Sequence, residues 1–244
     1  YVNIRDFVGA DVDTVSIAME VGENMRETVL ITGASGGIGL ALAEIFAREG
    51  YDLVLVARSE AKMAAAKARL ESRYGIAAEV MVKDLAVKDT AEEIFAELKD
   101  KGRQIDILVN NAGVGDYGRF ADAEWEKQNE MIQLNVTALI HMTKLFLKPM
   151  LERKEGKILN VASIAAFNPG PTMAVYHATK AAVLFFSEAL VSELKGSGVT
   201  VTTLCPGPTE TGFVAAASME SSKLFQNLKV ATSEAVAACG YKAL

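Results

Sequence analysis

Cysteine and histidine are scarce in this chain, with two of each among 244 residues. Cys205 and Cys239 cannot form a disulfide framework, and no Cys/His cluster has zinc spacing. That excludes small disulfide-held and zinc-held folds and suits a reducing, cytoplasmic setting. Basic residues are not in excess either: 25 Lys and Arg face 31 Asp and Glu, for a formal net charge of −6. Nucleic acid and anionic membrane surfaces are therefore not expected partners. No apolar run approaches the ~20 residues that cross a bilayer. The mixed, acidic N-terminus lacks the basic-then-apolar pattern of a signal peptide. What the chain does have is apolar content, 50% of its residues, enough to bury a sizeable core.

That content alternates along the chain. Near-continuous apolar runs occur at Thr28–Gly33, Asp52–Arg58, Ala77–Asp84, Ile105–Gly113, Gly156–Ser163 and Val199–Gly207. Strands this apolar are covered on both faces. Helical patterns fill the gaps: Gly37–Glu49, Glu60–Tyr74, Thr90–Gly102, Asp122–Arg153 in two pieces, and Ala174–Lys195, with a last helix in Thr232–Leu244. Strands alternating with helices on short connections predict an α/β fold, a doubly wound parallel sheet with helices on both faces. Residues 25–244 are the expected single domain, and residues 1–24 read as an N-terminal arm.

The most informative stretch is "TGASGGIG", Thr32 to Gly39, which parses two ways. Gly33-Ala34-Ser35-Gly36-Gly37 fits the G-x-S-x-G nucleophile elbow of a serine hydrolase. Gly33, Gly37 and Gly39 fit instead a glycine-rich strand–turn–helix whose backbone N–H groups face a dinucleotide phosphate. Chain order separates the two. An elbow follows several strands and precedes an acid and then a histidine. Here Ser35 follows the first strong strand, His141 lies within a helical pattern, and His177 runs directly into one. The phosphate reading is preferred.

Further along, "NNAG" (Asn110 to Gly113), Asn135, Ser163, "YHATK" (Tyr176 to Lys180) and "PG" (Pro206-Gly207) follow in order. With the glycine stretch, these motifs make the chain from roughly Arg26 to Phe213 resemble the short-chain dehydrogenase/reductase family. The resemblance implies a Rossmann-type domain that binds a nicotinamide dinucleotide at the switch point of its sheet. It implies catalytic roles for Asn135, Ser163, Tyr176 and Lys180. It places Gly33, Ser35, Gly37, Ile38, Gly39, Asp84, Leu85, Asn111, Ala112, Gly113, Tyr176, Lys180, Pro206, Gly207, Thr209 and Thr211 around the cofactor. Asn110 is matched to support of the central strand and the adenosine side. Asn135 is matched to a water that relays protons through Lys180, and Lys180 also to the nicotinamide ribose. In this family the helices corresponding to Asp122–Arg153 and Ala174–Lys195 pair across a two-fold axis, which implies a homodimer or homotetramer. Members continue into a seventh strand; the expected domain lacks it, since the sequence stops at "YKAL".

The residue types add chemistry to that outline. Tyr176 and Lys180 are four apart and share a helix face. A phenol with a pKa near ~10 is a poor base at neutral pH, and a nearby ammonium is expected to lower it. Tyr176 then gives a proton to a carbonyl oxygen or takes one from an alcohol. Ser163 closes an apolar strand, where its hydroxyl can bond the substrate oxygen as charge develops. An acid closing the second strand would select NAD through the ribose 2′-OH. The residues there are Val56-Ala57-Arg58-Ser59. With no acid, and with a guanidinium fork beside a hydroxyl, the expected cofactor is NADP(H). Phe167, Met173, Phe213, Val214 and Met219 are the expected pocket wall and lid. The expected substrate is a small apolar or mixed ketone, aldehyde or secondary alcohol, and no metal is expected. The alternative is a non-catalytic NADP(H)-binding sensor or scaffold, which has no physical need for an activated phenol.

Overall fold

The computed structural model describes residues 26–211 and 230–244. The expected arm at residues 1–24, and Phe213, Val214 and Met219, lie outside them. Six strands form one parallel sheet: β1 (Thr28–Thr32), β2 (Asp52–Ala57), β3 (Ala78–Val82), β4 (Ile107–Asn110), β5 (Gly156–Val161) and β6 (Val199–Leu204). Their order is β3-β2-β1-β4-β5-β6. The helices are α1 (Gly37–Arg48), α2 (Glu60–Tyr74), α3 (Thr90–Asp100), α4 (Trp125–Ile132), α5 (Leu139–Arg153), α6 (Ala174–Glu193) and α7 (Ser233–Lys242). A two-residue parallel pair, β7 (Thr209–Glu210) with β8 (Ala231–Thr232), leads into α7.

Strand periodicity sorts the core into two layers. Val29, Ile31, Leu53, Leu55 and Val109 pack with α1, α2 and α7 through Leu42, Phe46, Met63, Leu70 and Val236. Leu30, Val54, Val56, Leu108 and Ile158 pack on the other face with α3, α5 and α6 through Ile94, Leu98, Met142, Phe146 and Leu190. Each large side chain so buried contributes about 1.5–3 kcal/mol of transfer free energy.

The stretch from Asp122 to Arg153 holds two helices, α4 and α5, as expected, but their junction is continuous. A π segment, Gln133–Ala138, joins α4 to α5, and its flanking residues keep helical backbone angles. What changes is the hydrogen-bond step, and it changes around Asn135. β1 has β2 on one side and β4 on the other, so the chain reverses direction across the sheet there. The crevice outside the strand ends at such a reversal is where ligands bind in open α/β sheets.

Candidate active site

The glycine stretch lies at this reversal. Gly33 takes φ +66°, which lets the chain turn sharply out of β1. A methyl on Gly39 would lie 2.4 Å from the Gly33 carbonyl oxygen, so strand and helix meet backbone to backbone. A methyl on Gly37 would meet Thr211 Cγ2 at 3.0 Å. Helix α1 starts with no side-chain cap and no acid in its first turn. Leu40 N–H bonds back to Gly36 O at 3.3 Å, and the N–H groups of Gly37, Ile38 and Gly39 precede it at the positive helix end. The half-buried Ser35 makes no side-chain hydrogen bond among the described residues. These donors fit a pyrophosphate.

Thr32 ties this turn to the next strand, a role the sequence reading missed. Its hydroxyl donates to Val109 O at 3.2 Å and accepts from the N–H groups of Asn111 at 2.9 Å and Ala112 at 3.0 Å. Asn111 Nδ2 donates back to Thr32 O at 2.9 Å. The signal available was a hydroxyl closing an otherwise apolar strand. Asn110 lies deeper. It is 3% exposed and bonds Thr143 Oγ1 at 3.0 Å and Asn160 Oδ1 at 2.9 Å, while Asn160 reaches Ser187 Oγ at 2.9 Å. It ties β4 to β5 from within the sheet.

Asn135, Ser163, Tyr176 and Lys180 come together from three parts of the chain, the last two on α6. Ser163 follows β5, accepts the Ala165 N–H at 3.1 Å, and is hydrogen-bonded to the Tyr176 phenol. Lys180, one turn along α6 from Tyr176, is 6% exposed, and its Nζ donates to Val161 O at 2.9 Å. Asn135 is held at both ends of its amide: Oδ1 accepts Val114 N–H at 2.9 Å, and Nδ2 donates to Val114 O at 2.9 Å and Thr179 Oγ1 at 3.1 Å. Thr179 donates in turn to Tyr176 O at 2.7 Å. The π segment thus clasps the loop after Gly113 to the helix that carries Tyr176. A methyl on Gly113 would lie 3.2 Å from Asn135 Oδ1 and 3.5 Å from Lys180 Nζ.

Electrostatics here correct one expectation. Burial pushes the Tyr176 phenol above its ordinary value, and the Ser163 hydrogen bond offsets only part of that. Burial also pulls Lys180 down to about 8, against an opposing contribution from Cys205. The ammonium does not hold the phenol down. Its Nζ lies 5.9 Å from the ring centroid and is bonded to a carbonyl, so loss of hydration dominates.

The remaining expected residues line the strand ends. Arg58 follows β2, with Nη1 3.2 Å from Glu130 Oε1 and 3.6 Å from Asp84 Oδ2. Ser59 occupies the N-cap of α2 without making a side-chain capping bond. Asp84 accepts the Ala86 N–H at 3.0 Å, and Leu85 is buried. Pro206 O accepts the Ile164 N–H at 3.0 Å beside Ser163, and Thr209 Oγ1 donates to Gly207 O at 2.9 Å. Of the expected pocket wall, Met173 is buried and Phe167 is exposed. The hydrolase parsing finds no base: His141 pairs with Glu92 at 3.0 Å, and His177 Nδ1 lies 2.7 Å from Asn168 O. Among the described residues there is no group of three or more His, Cys, Asp or Glu that could hold a metal, and no helix long and apolar enough to cross a membrane.

Known proteins resemble this chain in sequence and fold. The family model described as short chain dehydrogenase matches residues 27–222. An uncharacterized oxidoreductase of Staphylococcus saprophyticus is 34% identical over 189 residues, 78% of this chain and 81% of that protein. A short-chain dehydrogenase from Sphingobium yanoikuyae, solved in complex with NADPH, superposes with a TM-score of 0.83 at 36% identity, over 88% of this chain and 83% of that one. The bulky-bulky ketone specific alcohol dehydrogenase from Comamonas testosteroni gives 0.77 at 32% identity, over 88% and 82%. The chain therefore belongs to the short-chain dehydrogenase family and is an oxidoreductase.

Proposed function

We propose that this protein is an NADP(H)-dependent oxidoreductase that interconverts an apolar or mixed ketone or aldehyde with its alcohol, using Tyr176 as acid and base. The observation that carries the reading is the Tyr176–Ser163 hydrogen bond beside a buried Lys180. A buried ammonium pulled down to about 8 is a standing cost to the fold, and a sensor or scaffold has no use for it.

The residues fit the cofactor. Ser35 and the N–H groups of Gly37, Ile38 and Gly39 would hold the pyrophosphate. Asp84 and Leu85 would hold the adenine, and Gly33, Asn111, Ala112 and Gly113 would also contact the cofactor. Arg58 and Ser59 would take the 2′-phosphate. Tyr176 and Lys180 would take the nicotinamide ribose, and Pro206, Gly207, Thr209 and Thr211 the carboxamide or phosphates. NADPH in the Sphingobium relative supports the NADP(H) reading. When bound there, the nicotinamide supplies or accepts the hydride.

The side chains do the rest. The Ser163 and Tyr176 hydroxyls hold the carbonyl oxygen and donate to it as negative charge grows. Tyr176 passes its proton to that oxygen. Burial keeps the phenol protonated at neutral pH, so it starts reduction as an acid. Lys180, charged below about 8, would hold the nicotinamide ribose beside Tyr176. Asn135 holds the loop that closes over Lys180. Met173 and Phe167 give the substrate side an apolar character. The Comamonas relative, specific for bulky-bulky ketones, supports that class.

A panel of ketones and alcohols of graded bulk, followed by absorbance of the reduced nicotinamide with each cofactor, tests the reading. NADPH-dependent reduction of an apolar ketone is expected. No turnover of any compound with either cofactor would overturn it. A cytoplasmic location rests on the two free cysteines and the acidic composition, and homodimer or homotetramer formation on the family.

A further inference from the structure

Arg58 is not a free cation. Its Nη1 lies between two carboxylates, 3.2 Å from Glu130 Oε1 and 3.6 Å from Asp84 Oδ2. The two acids are held differently. Asp84 is fixed by its own turn, accepting the Ala86 N–H. Glu130 reaches in from α4, 72 residues from Arg58 in sequence, and has no other side-chain partner among the described residues. One guanidinium and two carboxylates leave the cluster with a net negative charge. A 2′-phosphate would bring nearly two more negative charges to it.

We infer that Glu130 sets the strength of discrimination between the phosphorylated and unphosphorylated cofactors. It occupies the guanidinium that a 2′-phosphate must take over, and it repels that phosphate once bound. A ribose carrying only a neutral 2′-OH meets neither effect. The inference rests on the assignment of Arg58 to the 2′-phosphate. Glu130 tunes the site without blocking it. The pair is exposed, and such pairs are weak. A phosphate that engages the whole guanidinium fork displaces a single carboxylate contact.

Two adenosine fragments that differ in the 2′-phosphate, 2′,5′-ADP and 5′-AMP, isolate this end of the cofactor from catalysis. Their affinities are measured by calorimetry on the wild type, Glu130→Gln, Glu130→Ala and the double variant with Arg58→Ala. Both Glu130 variants are expected to bind 2′,5′-ADP about three- to tenfold more tightly and to leave 5′-AMP within about twofold. The gain should vanish when Arg58 is also removed. An unchanged 2′,5′-ADP affinity, or an equal gain for both fragments, overturns the role of Glu130 while a wild-type preference for 2′,5′-ADP leaves the NADP(H) reading intact. A wild type that binds the two fragments alike overturns the NADP(H) reading and this inference with it.

Discussion

In the proposed function, Tyr176 and Arg58 carry separable parts of the chemistry. Tyr176→Phe removes one oxygen and keeps the ring in place. Loss of the proton donor should lower kcat by about a thousandfold or more, with NADPH affinity by fluorescence titration within about twofold of wild type. Turnover near the wild-type rate would refute the acid/base role. Arg58→Ala should weaken NADPH binding by about 10- to 100-fold and leave NADH within about twofold. A parallel loss for both cofactors would mean that Arg58 contributes only to the adenine surface. Asn135 is different in kind, because its side chain joins Val114 to Thr179.

Among the elements, the β1–α1 turn is a junction where backbone meets backbone. A methyl on Gly39 would meet Gly33 O at 2.4 Å and Asn111 Nδ2 at 2.5 Å, so Gly39→Ala must push strand and helix apart. A cost of about 2–4 kcal/mol is expected, read as a melting temperature lower by roughly 5–15 °C and as weakened cofactor binding. Gly36 is the control. Its added methyl would meet nothing within 4 Å, so Gly36→Ala should stay within about 1 kcal/mol of wild type. Equal melting of the two variants would show that the turn relaxes. The glycine turn was legible because its spacing is local. The clasp between the π segment and α6 was not. A change of hydrogen-bond step within a helix leaves the hydrophobic period nearly intact, so it surfaced only as an asparagine in a helical stretch.

The whole molecule decides the proton affinity of Lys180. In the fold it releases its proton near pH 8, against an ordinary value of 10.5. Between those two values the unfolded chain binds the extra proton, so stability rises with pH through that window. The gain is about 3 kcal/mol and is absent below about pH 8. Denaturation of wild type and Lys180→Met at the two ends of the window checks it: the difference should move in the wild type's favour by that amount at the alkaline end. A constant difference would mean that Lys180 keeps its ordinary affinity for protons. Reduction should correspondingly be flat at neutral pH and fall above about pH 8.

Residue order alone determined the alternation of six apolar strands with helices and the glycine turn, and it singled out Ser163, Tyr176 and Lys180 as candidates. Each is written in local periodicity or spacing, and a sheet buried on both faces needs no distant partner to specify its strands. Tertiary structure alone decided that burial raises the phenol and lowers the amine, and that Thr32 and Thr179 are joints of the site. It also brought Glu130 to Arg58 across 72 residues. Desolvation and charge pairing depend on separations in space, which the order of residues does not carry.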